Sequence, residues 1–245
     1  MPENTQPVSV HAAIATPPAE GEGVGLLIVG CLAILAGAVD AAGMTLLHDL
    51  YVSFMSGNSS SLGAAIARSD WGTARTTGEL LALFIAGAAA GQVVVVMAPR
   101  LHLPLVLCGA AAVLTVPLLV SVPAALLMTF SMGMLNAALQ KVGPMPVSIT
   151  YVTGSLVKFG QGLGGLLCGR TSDWNWLASL VPWAGLLTGV ILSTLGLGRF
   201  GNVALQALPA LAAVMALLTL PAVLPRRVAG RVRGREQGSS RGEDA

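Results

Sequence analysis

Residues 24–47 read VGLLIVGCLAILAGAVDAAGMTLL, a stretch with a single charged side chain, Asp40, set among apolar ones. A run this long exceeds the ~20 residues that carry an α-helix across a bilayer. It is continuous rather than alternating, and rich in Ala, Leu and Gly. That pattern is a helix, not a barrel strand.

The rest of the chain has the same character. Of 245 residues, 54% are hydrophobic and 10% charged, and the mean hydropathy is +0.78. Soluble domains carry about 25% charged residues, so this chain lacks the charge to coat a water-facing surface. The expected fold class is an all-α, polytopic transmembrane helix bundle with the lipid bilayer as its obligate partner. Apolar segments are expected at roughly 24–47, 51–67, 78–98, 101–120, 122–140, 148–168, 177–197 and 203–224.

Charge is concentrated at the ends. Met1 to Gly23 holds Glu3, Glu20 and Glu22 but no Lys or Arg, and is expected to be a disordered tail, residues 1–23. Arg226, Arg227, Arg231, Arg233, Arg235 and Arg241 crowd residues 225–245, a second expected tail. A basic cluster directly after a final helix is held on the cytoplasmic side, against anionic headgroups, so topology rather than nucleic-acid binding is its expected role. The three cysteines (Cys31, Cys108, Cys168) and three histidines (His11, His48, His102) are scattered without ligand spacing. No metal, cofactor or nucleic acid is expected. No motif for a catalytic nucleophile, a zinc protease or a phosphate loop is present, and no enzymatic activity is expected.

Two apolar segments are weaker than the others. Residues 51–67 contain Ser53, Ser56, Gly57, Asn58, Ser59, Ser60 and Ser61, and residues 148–168 contain Ser148, Thr150, Thr153, Gly154, Ser155 and Lys158. Their corresponding places suggest an internal repeat. Gly37-Ala-Val-Asp40-Ala-Ala lies over Gly133-Met-Leu-Asn136-Ala-Ala, and Ser53 to Asn58 over Thr150 to Ser155. Arg68-Ser-Asp70-Trp71 resembles Arg170-Thr-Ser-Asp173-Trp174, and Gly87-x-x-x-Gly91 lies over Gly185-x-x-x-Gly189. The expected halves are 24–121 and 122–224, each of about four helical segments. If the weak segments cross, there are eight spans and the halves are parallel; if they re-enter, six spans and inverted halves. Basic loop residues divide three against three either way. We read eight spans, with Arg and Trp at 68–71 and 170–174 as interface anchors.

The candidate substrate-site residues are Asp40, Ser56, Gly57, Asn58, Asn136, Thr153, Gly154, Ser155 and Lys158. Asp40 is a carboxylate at membrane depth, costly unless paired or facing water; it reads as a proton or cation site, or as a lock between helices. Lys158 is a cation within an apolar segment and a candidate partner for Asp40, unless it snorkels to an interface. The Ser56-Gly57-Asn58 and Thr153-Gly154-Ser155 elements can unwind and ligate an ion or polar solute, or pack closely against neighbours. The GxxxG pairs read as contact faces.

In combination, Ala36-Gly37-Ala-Val-Asp40-Ala-Ala-Gly43, Phe54-Met55-Ser56-Gly57-Asn58, Phe84-Ile-Ala-Gly87-x-x-x-Gly91, Met132-Gly133-Met-Leu-Asn136-Ala137 and Thr150-Tyr151-Val152-Thr153-Gly154-Ser155-Leu156 resemble the YoaK-like family of bacterial membrane proteins, a domain of unknown function. The resemblance spans about residues 24 to 224. Ser56 and Ser155 stand where the family favours Thr, and both keep the hydroxyl. The resemblance implies an inner-membrane location but no activity. The residues themselves support a small-solute or ion secondary transporter with a central polar site, or else a non-transporting scaffold or assembly protein. Oligomeric state is not encoded in any feature above.

Overall fold

Backbone placed in hydrocarbon must satisfy its own N–H and C=O groups, and this chain does so with helices. The computed structural model describes residues 22–47, 50–138, 152–169 and 174–223. Within them run α1 (Glu22–Leu47), α2 (Met55–Ala67), α3 (Trp71–Met97), α4 (His102–Leu119), α5 (Ala124–Ala138), α6 (Val152–Leu167), α7 (Leu180–Phe200) and α8 (Ala207–Val223). Short 3-10 turns, Asn175–Ser179 and Gly201–Gln206, lead into α7 and α8. Every expected apolar segment overlaps one of these helices. Residues 1–21 and the basic segment from 224 onward lie outside the described residues.

Gly23–Leu47, Trp71–Met97, His102–Leu119 and Trp176–Leu220 are each long and apolar enough to span a membrane. The last, 45 residues in length, is broken where Gly201 ends α7 at φ 57°, a conformation glycine adopts without strain. It therefore holds two helices, α7 and α8. The chain is a multi-pass membrane protein.

The core lies between α1, α4, α5 and α8. Leu32, Leu35 and Val39 meet Val106, Leu107 and Ala110 of α4, Met132 and Leu135 of α5, and Ala212 and Met215 of α8 in one buried cluster. α3 and α7 flank that core through glycine contacts. On α7, Gly185 sits against the Gly30 carbonyl and Gly189 against that of Ile34, while the Ser193 hydroxyl donates to the Ala38 carbonyl at 2.9 Å. Numbers rise together on both helices, so α1 and α7 run parallel. On α3, Gly87 sits against the Phe130 carbonyl and Gly91 against that of Met134, so α3 and α5 are parallel too. Gly37 and Gly133 complete the pattern, meeting the carbonyls of Leu186 and Phe84. These faces confirm the packing reading of both GxxxG elements. Without Cβ atoms the backbones approach closely enough for dense van der Waals contact, which drives association where lipid removes the hydrophobic effect.

The weak segment 51–67 behaves differently from the expectation that it crosses. Residues 50–54 are not helical, and they dock back on α1 at Asp40. That level lies about 10 Å of helix rise below Leu47, where α1 ends. α2 then returns to the end from which it came. Leu46 and Leu47 line the same cleft, about 790 Å³, as Arg68 and Gly72 on the far side of α2. A straight run onward would have carried Arg68 on the order of 30 Å from Leu47, a full hydrocarbon thickness. With 13 residues, α2 rises only about 20 Å, too little to span. α2 turns back toward the Leu47 end of α1, and α1 and α3 are consequently antiparallel. α6 is similarly short at 16 residues. Its second half folds against the entry to α7, with Phe159 5.2 Å from the Trp176 ring and Gly162 leaving room for that indole.

Single cysteines at Leu47 and Arg68, in a parent lacking Cys31, Cys108 and Cys168, should react with an impermeant maleimide from the same face of the membrane. Labelling from opposite faces would restore the eight-span arrangement. Separately, Gly37→Ala and Gly133→Ala should each cost about 1–3 kcal/mol by overpacking, read as a lower melting temperature in detergent. Gly63→Ala, whose Cβ would meet nothing within 4 Å, should leave the melting temperature unchanged.

Candidate functional site

Asp40 lies in the last third of α1, and its carboxylate faces the unwound residues 50–54. Oδ1 accepts the backbone N–H groups of Val52 and Ser53, each at 3.1 Å, and Oδ2 accepts the Ser53 hydroxyl at 2.7 Å. Asn58, fully buried in the first turn of α2, holds the same segment from the other side. Its Oδ1 accepts the Tyr51 N–H at 3.1 Å and its Nδ2 donates to the Tyr51 carbonyl at 2.6 Å. Together the two side chains meet the three N–H groups of residues 51–53 and the Tyr51 carbonyl, which no helix satisfies. Gly43, one turn beyond Asp40, leaves the space that Val52 fills. Gly57 lets the Phe54 ring lie against α2, edge-on to Tyr51 at 5.3 Å.

The expected pair between Asp40 and Lys158 does not form. Asp40 is engaged by residues 52 and 53, Lys158 is exposed on α6, and the ion pair among the described residues is Arg75–Glu79. Charge is not needed to hold Asp40, because two N–H groups and a hydroxyl already meet both oxygens. Lys158 has an alkyl stem long enough to place its ammonium at an interface.

The other candidates scatter. Ser56 is exposed, and its carbonyl accepts the Ser60 hydroxyl at 3.2 Å; Ser59 bonds back to Met55 in the same way at 2.8 Å. Asn136, which the sequence alignment sets over Asp40, donates from Nδ2 to the Met132 carbonyl at 2.8 Å. It lines a smaller cleft of about 370 Å³ with Ala88, Gln92 and Ala137. On α6, Thr153 is exposed, Gly154 buried and Ser155 half-buried. Residues 139–151, where the sequence alignment sets Thr150 over Ser53, lie outside the described residues. Thus Asp40 and Asn58 converge on one feature, and Ser56, Asn136, Thr153 and Lys158 do not join them. Sequence reading missed Gly43, Tyr51 and Val52 as parts of the arrangement. The glycine at Asp40 + 3 was the available signal.

Residues 28–219 match the family described as Protein of unknown function (DUF1275). The chain belongs to the DUF1275 family. It is also 35% identical over 209 residues to a UPF0700 transmembrane protein of Rhizobium meliloti (strain 1021), an alignment covering 83% of this chain and 89% of that protein. No solved structure matches. The membership bears out the YoaK-like, domain-of-unknown-function resemblance. In this DUF1275 protein the elements that carry it are now given physical work. Gly37 admits α7, Asp40 and Gly43 seat the unwound segment, and Asn58 closes it.

Asn58→Ala leaves the Tyr51 N–H and C=O without partners, and Asp40→Ala does the same to two N–H groups. Each should cost about 2–6 kcal/mol, from ~1–3 for each of two stranded groups. Fluorescence-detected gel filtration after a heat step should show both variants aggregating well below the parent. Asn58→Asp should be as damaging as Asn58→Ala, because a carboxylate cannot donate to the Tyr51 carbonyl. Equal stability of Asn58→Asp and the parent would remove the clamp.

Proposed function

We propose that this DUF1275 protein is a secondary transporter for a small solute, built from two inverted repeats in the inner membrane with the C-terminus cytoplasmic. The observation that carries the reading is the return of α2 to the exit end of α1. Re-entrant, partly unwound elements beside spanning helices are the way transporters line a path at membrane depth.

The packing supports inverted repeats. Exchanging first-half and second-half helices turns the α1–α7 contact into the α5–α3 contact: Gly37 against Leu186 matches Gly133 against Phe84, and Ile34 against Gly189 matches Phe130 against Gly87. In this correspondence Gly87 pairs with Gly189, one helical turn later than the GxxxG alignment placed it. Antiparallel α1 and α3 follow from six crossings. A cytoplasmic Arg226–Arg235 cluster then puts both chain ends inside and the α1–α2–α3 cleft outside.

A second reading, a scaffold, is favoured by the saturation of Asp40, whose oxygens are engaged by the chain itself. Motion separates the two. A single cysteine at Ala88, beside the smaller cleft, should label from both faces of the membrane in a transporter, because access alternates. Labelling from one face only, in intact cells and in inverted vesicles alike, would leave the scaffold.

A further inference from the structure

The cleft at the α1–α2–α3 end carries chemistry that the Asp40 clamp does not use. One wall is apolar, made by Leu46, Leu47 and Leu50; the other presents hydroxyls, among them Ser61 and Thr76; Arg68 stands in the lining between α2 and α3. Arg68 forms no ion pair among the described residues. Asp70, two residues on, offsets part of its charge but caps α3 instead, accepting the Thr73 N–H at 3.1 Å. The hydroxyl and N–H of Thr73 hold the exposed Asp70 carboxyl below its usual range. The Ser61 hydroxyl has no hydrogen bond among the described residues. Trp71, next in the chain to the cleft-lining Gly72, is 67% exposed. An indole and a guanidinium at one helix end mark the headgroup level of a bilayer.

We propose that this cleft binds an amphiphile with one anionic head, carboxylate or phosphate, and an alkyl body. A guanidinium offers such a head paired N–H donors in a geometry that fits two oxygens. Ser61 adds a hydroxyl donor. The three leucines cover the first part of the tail, and the interface position lets the head stay partly hydrated while the tail enters the apolar region. The site stands whether or not the chain transports, since occupancy alone is measured.

Trp71 is the reporter. With Trp174, Trp176 and Trp183 replaced by Phe, the protein is placed in phosphatidylcholine vesicles and titrated with ω-bromoundecanoate. The neutral ω-bromoundecanol serves as the uncharged match. A parallel arm uses vesicles of brominated phosphatidylglycerol against brominated phosphatidylcholine. The expected result is saturable quenching by an anionic probe, absent for its neutral match and weakened about tenfold by Arg68→Gln, the effect of losing one charge-assisted contact. Thr76→Leu, which fills the cleft and keeps Arg68, should weaken it equally. Quenching by the free acid alone assigns a soluble amphiphile; quenching by phosphatidylglycerol alone assigns a lipid headgroup. Native mass spectrometry of the unmodified chain, comparing retained phosphatidylglycerol and undecanoate with their neutral matches, gives the same readout without the Trp replacements. Equal response to charged and neutral probes, or no change in Arg68→Gln and Thr76→Leu, overturns the site.

Discussion

Unwound backbone at membrane depth is tolerated only where every N–H and C=O finds a partner within the protein. In residues 51–53, Asp40 on α1 and Asn58 on α2 take all three N–H groups and the Tyr51 carbonyl, while the Ser53 carbonyl accepts the Met55 N–H at 3.1 Å. The direction of α2 depends on this clamp, because it fixes where the helix starts and on which side of α1 it leaves. From that follow the antiparallel relation of α1 and α3 and the cleft between their ends. A carboxylate that costs several kcal/mol alone in hydrocarbon becomes the natural acceptor for a short row of donors. The polar residues of the first weak segment are thus first of all the solvent for their own backbone.

The spacing around Asp40 distributes contacts around one helix. Gly37, Asp40 and Gly43 are three residues apart, so each step turns by about 60° the face that α1 presents. Gly37 takes the Leu186 backbone, Asp40 the N–H groups of residues 52 and 53, and Gly43 the Val52 side chain. On α5 Gly133 packs against Phe84, and the Asn136 amide donates to the Met132 carbonyl among its bonds. A neutral amide can satisfy a carbonyl within one turn, whereas a carboxylate has no donor and must find N–H groups elsewhere.

Packing elsewhere relies on small residues. Glycines at helix contacts bring backbones together, and the Ser193 hydroxyl adds one bond between α7 and α1 only two residues from Asp40. The first and last thirds of the membrane region are therefore tied at the level where α1 meets the unwound segment. A displacement of α7 would reach the clamp through Ala38, a short and direct route for coupling a helix movement to α2.

The sequence by itself determined the class and the parts list. Composition and run length gave membrane helices, because 10% charge cannot solvate a surface. Apolar stretches located each helix, and the glycine pairs named their contact faces. Asp40 and Asn58 were legible as costly polar groups with a task, but the task was not, since a carboxylate at depth reads alike as ion site or backbone acceptor. Only the tertiary structure decided that Asp40 holds residues 52 and 53 rather than Lys158, and that α2 turns back rather than crossing. The physical reason is that segment composition fixes cost in hydrocarbon, not direction. Direction is set by which distant donors meet which acceptors, and that pairing exists only once the helices have packed.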